Sequence, residues 1–251
     1  MIDNTQPLKL EYDEKTKKLS FEGKQLQPAT RTVEEMCEVM HDQVFCATAK
    51  RETETYHMYR AVIRDQDQEL FSKNALRYDV TIIFPEKLGS ECNKTAGHYH
   101  EIASSGKSFP ELYQVLQGQA HYLLQKRAGG KTDELEDIVM VKAKAGESVL
   151  VPPDYGHVTI NPSKTDDLIM ANLVEKNFKS DYAPIKEMHG AAYFELSDNA
   201  MKPNEYYRKK PELYQLDAEE FQHTKNEGIT NQSIYQQFLD KPDKFKFLRE
   251  P

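Results

Sequence analysis

His98 and His100 are separated by one residue in KTAGHYHE. In an extended strand, residues i and i+2 point to the same face, so both imidazoles can meet one ion. Glu111 begins the next extended segment, ELYQVL, and His157 lies in VPPDYGHVTIN. Three neutral imidazoles and one carboxylate suit a borderline divalent transition metal: Fe, Mn, Ni, Co or Zn. Around an octahedral ion, four protein ligands leave two positions, enough for a substrate presenting two adjacent oxygens. His41, His57, His121, His189 and His223 lack such partners in the sequence and are expected to be surface or core residues.

Ligands so far apart in the chain need a scaffold of short strands. From about Tyr56 to Asn161 the runs YHMYRAVI, LRYDVTIIF, ELYQVL, AHYLLQKR, DIVMVKA and ESVLVPP are rich in β-branched and aromatic residues, and DLIMANLV follows. Turn residues divide them, in PEKLGS, QGQ, AGGKTDE, KAG and PSKTDD. Many short strands at nearly regular intervals, with no helical crossover between them, predict an antiparallel sandwich or barrel and argue against a parallel α/β sheet. Upstream, LKLEYDEKTKKLSFEG alternates as a hairpin, and Thr32 with Glu35 makes a capping-box pattern before Val33, Met36, Cys37 and Met40 at helical spacing. A single short helix is expected over TVEEMCEVMHD. After Tyr193 the chain turns polar, with a helical patch at SIYQQFL. The expected organisation is a hairpin-and-helix extension over 1–55, a barrel over 56–194, and a mixed strap or helical extension over 195–251. The EYYRKKPELY cluster is expected to be a solvated part of that strap.

Of the 251 residues, 33 are Lys or Arg and 41 are Asp or Glu, a net charge of −8. That balance, without a long basic run, disfavours nucleic acid and anionic membranes as partners. Apolar residues make up 38 %, enough for a core, yet no stretch approaches the 18 or so a membrane span needs. MIDNTQPLKLEYDEK has neither the basic start nor the apolar run of a signal peptide. Cys37, Cys46 and Cys92, odd in number and widely spaced, are expected to be free thiols in a reducing, cytoplasmic setting.

Glu111 is followed by six residues and Gly118; Gly146 by five and Pro152; His157 by three and Asn161. With His98-x-His100, this order resembles the two motifs of the cupin superfamily. Two departures stand out. Ten residues, EIASSGKSFP, separate His100 from Glu111 where three or four are usual, which implies an inserted loop, and Asp154 occupies a glycine position, which is expected to change the turn but spare the ligand. TAGHYH, PELYQVLQG and VPPDYGHVTIN further resemble the cupin-type glucose-6-phosphate isomerases of archaea and some bacteria, over roughly Arg31 to Tyr193. The resemblance implies a mostly β cupin barrel (a double-stranded β-helix or jelly roll) with a short N-terminal helical segment and a C-terminal extension. It also implies a homodimer with one divalent metal per subunit, Fe2+ being the expected ion and Mn2+, Ni2+, Co2+ or Zn2+ the alternatives. The substrate would be a sugar phosphate of glycolysis and gluconeogenesis. On this resemblance His98, His100, Glu111 and His157 are the ligands, Glu111 and Tyr113 act in catalysis, and Thr81, Thr95, Gly97 and Tyr182 hold the phosphate. Ser180 and Val174 stand where the family has a histidine and a tyrosine.

Fold does not fix chemistry. A different metal cupin, such as a non-haem iron dioxygenase or another sugar-phosphate isomerase, is an alternative, as is a sugar- or metal-binding cupin without turnover. Isomerisation itself could run through a cis-enediol or a direct hydride shift, with Glu111 the one nearby carboxylate the sequence suggests.

Overall fold

A computed structural model of the chain describes residues 2, 7–221, 223–224 and 227–251. The mostly β fold expected from the sequence is the observed one. Six strands form the larger sheet, in the order Ser148–Val151, Glu111–Gln117, Leu168–Glu175, Leu76–Ile83, Glu54–Tyr59 and Ala29–Thr32, all antiparallel. Four form the smaller: Tyr155–Ile160, Gln119–Arg127, Leu135–Lys144 and Tyr214–Asp217. The last of these, from the C-terminal part of the chain, runs parallel to its neighbour.

The sheets share a core. Val115, Val149 and Met170 of the larger pack in one cluster with Tyr122, Val139 and Val158 of the smaller. Contacts across the gap include the Tyr113 and Tyr122 rings, with centroids 5.2 Å apart, and Tyr122 Oη 3.7 Å from Met170 Sδ.

The larger sheet is covered on its other face too. Leu8, Leu10 and Leu19 of the N-terminal hairpin and Ile234, Tyr235, Phe238 and Phe245 of the C-terminal helical segment form a second apolar cluster against Tyr78, Val80 and Ile82. This explains why LIMANLVE carries little polar alternation: every residue of Leu168–Glu175 is buried. SIYQQFL is the helix Ile234–Asp240, capped by Ser233, whose Oγ accepts from Gln236 N.

Three local expectations are corrected. The helix expected over TVEEMCEVMHD breaks: Val33–Met36 passes into a 3-10 turn, Cys37–Val39, and Met40 is extended. Asp42 then caps a second helix, Gln43–Thr48, by accepting from Phe45 N at 2.9 Å, a local bond that competes with continued helix. The reversal brings the Cα atoms of Cys37 and Cys46 to 5.6 Å, and the two form a disulfide, while Cys92 is a buried free thiol. In EYYRKKPELY, Tyr207 is buried rather than solvated, with its hydroxyl donating to Gly190 O at 3.1 Å.

Phe238 lies between Phe71 and Phe245, with centroids 4.6 and 5.7 Å away. Phe238→Ala should lower the unfolding free energy by about 3–5 kcal/mol, measured by urea denaturation; a loss under 1 kcal/mol would show that the C-terminal helix adds little to the sheet it covers.

Candidate metal centre

The segment that carries His98 is stitched directly to the strand that carries His157. His98 N donates to His157 O at 3.2 Å and His157 N to His98 O at 3.0 Å, so the two residues face each other as a hydrogen-bonded pair. Thr95 N to Thr159 O, at 2.9 Å, continues the pairing. On the opposite sheet Glu111 opens its strand, and the barrel's closure brings it to the histidines. One donor atom from each of His98, His100, Glu111 and His157 lies within 4.8 Å of the others. The four residues that motif spacing singled out therefore converge.

Their orientation suits a cation. His100 Nδ1 is 2.7 Å from Phe109 O, so that nitrogen carries the proton and Nε2 offers its lone pair to the centre. The Nε2 atoms of His98 and His100 face each other at 3.1 Å. Glu111 Oε2 lies 3.3 Å from Nε2 of both His100 and His157, yet it is buried without a hydrogen bond among the described residues. Burial lowers His98 well below the usual imidazole range and also lowers His157, favouring neutral rings. Burial alone would raise Glu111, but the neighbouring imidazoles of His100 and His157 outweigh it and hold the carboxyl well below its ordinary value. An ionised carboxylate with an orphaned oxygen among neutral imidazoles is a donor set that fits a divalent ion.

A cavity opens onto this cluster. Thr81, Thr95, Gly97, Tyr113 and Tyr182, assigned to substrate by resemblance, all line it beside His98 and Glu111. Tyr113 Oη is 3.1 Å from His157 Nε2, and the Tyr182 ring centroid is 5.3 Å from that of His98. Burial, then the Glu111 charge, raises Tyr113 well above the ordinary phenol value, so it keeps its proton. Ser180 lines the wall as well, whereas Val174 is buried in its strand.

Sequence reasoning missed Arg60, Asn172 and Phe178, which line the same cavity. The signal for Asn172 was its register, since it pairs with Tyr113 across the sheet; neither Arg60 nor Phe178 lies in a motif. Glu111 is also not the only carboxylate nearby. Asp79, fully buried, accepts from Arg60 Nη1 at 2.6 Å, Arg77 Nε at 2.8 Å and Ala61 N at 2.9 Å. Those three donors make it an anchor for arginines rather than a free base.

Both departures from motif spacing have a local explanation. Asp154 adopts a left-handed backbone, φ 71°, a region Asp tolerates better than most residues. Its amide donates to Ser108 Oγ at 2.6 Å and its Oδ1 accepts from Ser108 N at 3.0 Å, which ties the inserted loop to the turn before His157.

The sequence profile of the family described as glucose-6-phosphate isomerase (GPI) matches residues 30–212. A glucose-6-phosphate isomerase of Thermococcus gammatolerans is 34 % identical over 112 residues, 45 % of this chain and 53 % of that protein. One from Pyrococcus horikoshii is 23 % identical over 174 residues, 68 % of this chain and 83 % of that protein. The chain spans about half the length of the first of these relatives. Among solved structures, an oxalate decarboxylase of Lactobacillus farciminis in a formate complex superposes with a TM-score of 0.37 at 18 % identity, covering 52 % of this chain and 32 % of that one.

Gly97 adopts φ +77°, and a Cβ there would sit 2.4 Å from Val158 Cγ2 and 3.3 Å from His157 O. Gly97→Ala should therefore push His98 out of register with His157 and weaken divalent-metal affinity by about tenfold or more, measured by competition with a chromogenic chelator; unchanged affinity would show that the backbone there has room.

Proposed function

Because the chain belongs to the glucose-6-phosphate isomerase family, we propose that it interconverts glucose 6-phosphate and fructose 6-phosphate at a divalent metal held by His98, His100, Glu111 and His157. The observation that carries this reading is that His98 and Glu111 of the four-donor cluster line one cavity with Thr81, Thr95, Gly97, Tyr113 and Tyr182. Threonine hydroxyls and a glycine amide are oriented donors of the kind a sugar phosphate needs.

When bound, the ion supplies Lewis acidity toward the substrate's carbonyl oxygen. The chain's own residues do the rest. In the aldose-to-ketose direction hydrogen leaves C2 and arrives at C1, while the O2 proton passes to O1. Tyr113, protonated and buried beside the cluster, is suited to hand a proton to one oxygen and take it from the other. Glu111, ionised, would accept the C2 proton if the reaction passes through a cis-enediol; in a direct hydride shift the hydrogen moves between carbons without meeting the protein. Deuterium from solvent appearing at C1 of the fructose 6-phosphate formed favours the first route, and none in a full-exchange experiment favours the second. Homodimerisation and a single ion per subunit, Fe2+ first, belong to the same reading and are tested by light scattering with metal analysis.

Stripping the protein with chelator should abolish conversion of fructose 6-phosphate, followed as NADPH through glucose-6-phosphate dehydrogenase. Adding back Fe, Mn, Ni, Co or Zn singly should restore it and rank the metals, and His98→Ala should remain inactive with each. A protein that binds one ion per chain yet turns nothing over sinks the isomerase reading. Tyr113→Phe should lower kcat about 100-fold with little change in KM; a loss under threefold would remove Tyr113 from proton handling.

A further inference from the structure

Arg127 ends the strand Gln119–Arg127 of the smaller sheet. Of the eight arginines in the chain, the other seven each pair with a carboxylate. The Arg127 guanidinium has no hydrogen bond and no ion pair among the described residues, although the residue is half-buried. It lies instead over the Tyr99 ring, 4.5 Å from the centroid. Stacking orients a guanidinium and leaves the donors along its edge free.

Tyr99 is a firm platform for it. Alternation along the strand turns this ring to the face opposite His98 and His100. There it packs on Gly156, where a Cβ would meet Tyr99 Cζ at 2.5 Å. The Tyr99 hydroxyl accepts from Gln125 Nε2 at 3.0 Å, and Gln125 Oε1 accepts from Ala192 N at 2.8 Å. The guanidinium is thereby held on the outer side of the strand that carries the two histidines.

A separate groove opens at this point, lined by Arg127, Gly129, Gly130, Glu136 and Asp154 among others. It shares no lining residue with the cavity that holds Thr81, Thr95 and Gly97. Gly129 and Gly130 both have left-handed backbones, φ 59° and 76°, and their amides have no hydrogen-bond partner among the described residues. Successive free amides in a turn favour an oxyanion, and the planar fork of a guanidinium matches phosphoryl oxygens.

The acidic residues restrict the rest of the ligand. Glu136 and Lys126 compensate each other at 2.8 Å, and Asp154 Oδ1 accepts from Ser108 N. A carboxylate in the groove disfavours a second anionic group and accepts from hydroxyls. One phosphoryl group on a hydroxylated skeleton therefore fits better than a polyanion.

We propose that Arg127 and the Gly129–Gly130 turn bind the phosphoryl group of a small hydroxylated phosphate monoester, at a site on the outer face of the histidine strand and separate from the cavity beside the metal cluster.

Full-length protein labelled with 15N-glycine gives one amide signal for each of its eleven glycines. Gly129 and Gly130 are assigned with Gly129→Ala and Gly130→Ala, where the added Cβ meets nothing within 4 Å. Titration with glycerol 3-phosphate should shift both signals saturably. Arg127→Gln should weaken that binding about tenfold or more, and Arg127→Lys should recover part of the loss. Signals that stay still in wild type, or that move with equal affinity in Arg127→Gln, overturn the proposal. Acetate acting as strongly as the phosphate ester overturns the phosphoryl assignment. Gly97 reports the other cavity in the same spectrum, so a Gly97 response to fructose 6-phosphate that falls in Arg127→Gln shows one site where two are proposed. Should Arg127→Gln not fold, wild-type affinity in Arg127→Lys, which keeps the charge but loses the fork, overturns the proposal.

Discussion

A carboxylate enclosed among three imidazoles is the constraint on which this molecule turns. An isolated charge in a protein interior is strongly unfavourable unless paired or coordinated, and among the described residues no lysine or arginine is bonded to Glu111. Its compensation must come from the donors around it, and these arrive from separate segments. His98 and His157 are brought together by an exchanged pair of backbone hydrogen bonds, His100 follows two residues later on the same edge, and Glu111 stands at the start of a strand in the facing sheet. The barrel must close for the cluster to exist, and the double covering of the larger sheet holds it closed. The N-terminal hairpin and C-terminal helix, remote from the centre, serve it by burying the outer face of the strands that carry Glu111, Tyr113 and Asn172.

The same barrel carries two buried carboxylates with opposite arrangements. Glu111 faces imidazoles and keeps an oxygen unmet, the condition of a ligand. Asp79 is saturated by two guanidiniums and a backbone amide. One is therefore placed to hold a cation, while the other is already compensated by the two arginines it binds.

Much of this was legible in the sequence because it is encoded locally. Alternation put His98 and His100 on one face, short β-branched runs announced the barrel, and fixed intervals from Glu111 to Gly118 and from His157 to Asn161 carried the family resemblance. What escaped was set by register and long-range packing. Asn172 enters the site only through its alignment with Tyr113, and Arg60 only because Asp79, nineteen residues on, turns it inward. The break after Val39 came from a cap at Asp42 competing with helical periodicity, and the Cys37–Cys46 disulfide followed from that break. Tyr207 is buried because a backbone carbonyl and Gln125 accommodate its hydroxyl, in a stretch whose composition reads as solvated.

The inserted loop between His100 and Glu111 is pinned at both ends, at its start by Glu101, whose N donates to Lys179 O at 3.2 Å and whose Oε1 accepts from Lys179 N at 3.0 Å. Phe109 O orients His100 and Ser108 is bonded to Asp154, while residues 103–107 hold mainly to one another through Ala103 and its bonds with Lys107 and Gly106. The interval between two ligands is in this way decoupled from their geometry. Residues can enter or leave the apex without moving either donor, so the gap is free to drift among descendants of one ancestor while the quartet stays put. Relatives of this chain are then better recognised by the paired anchors, a residue bonding the turn and a carbonyl steadying the imidazole, than by any fixed count between His and Glu.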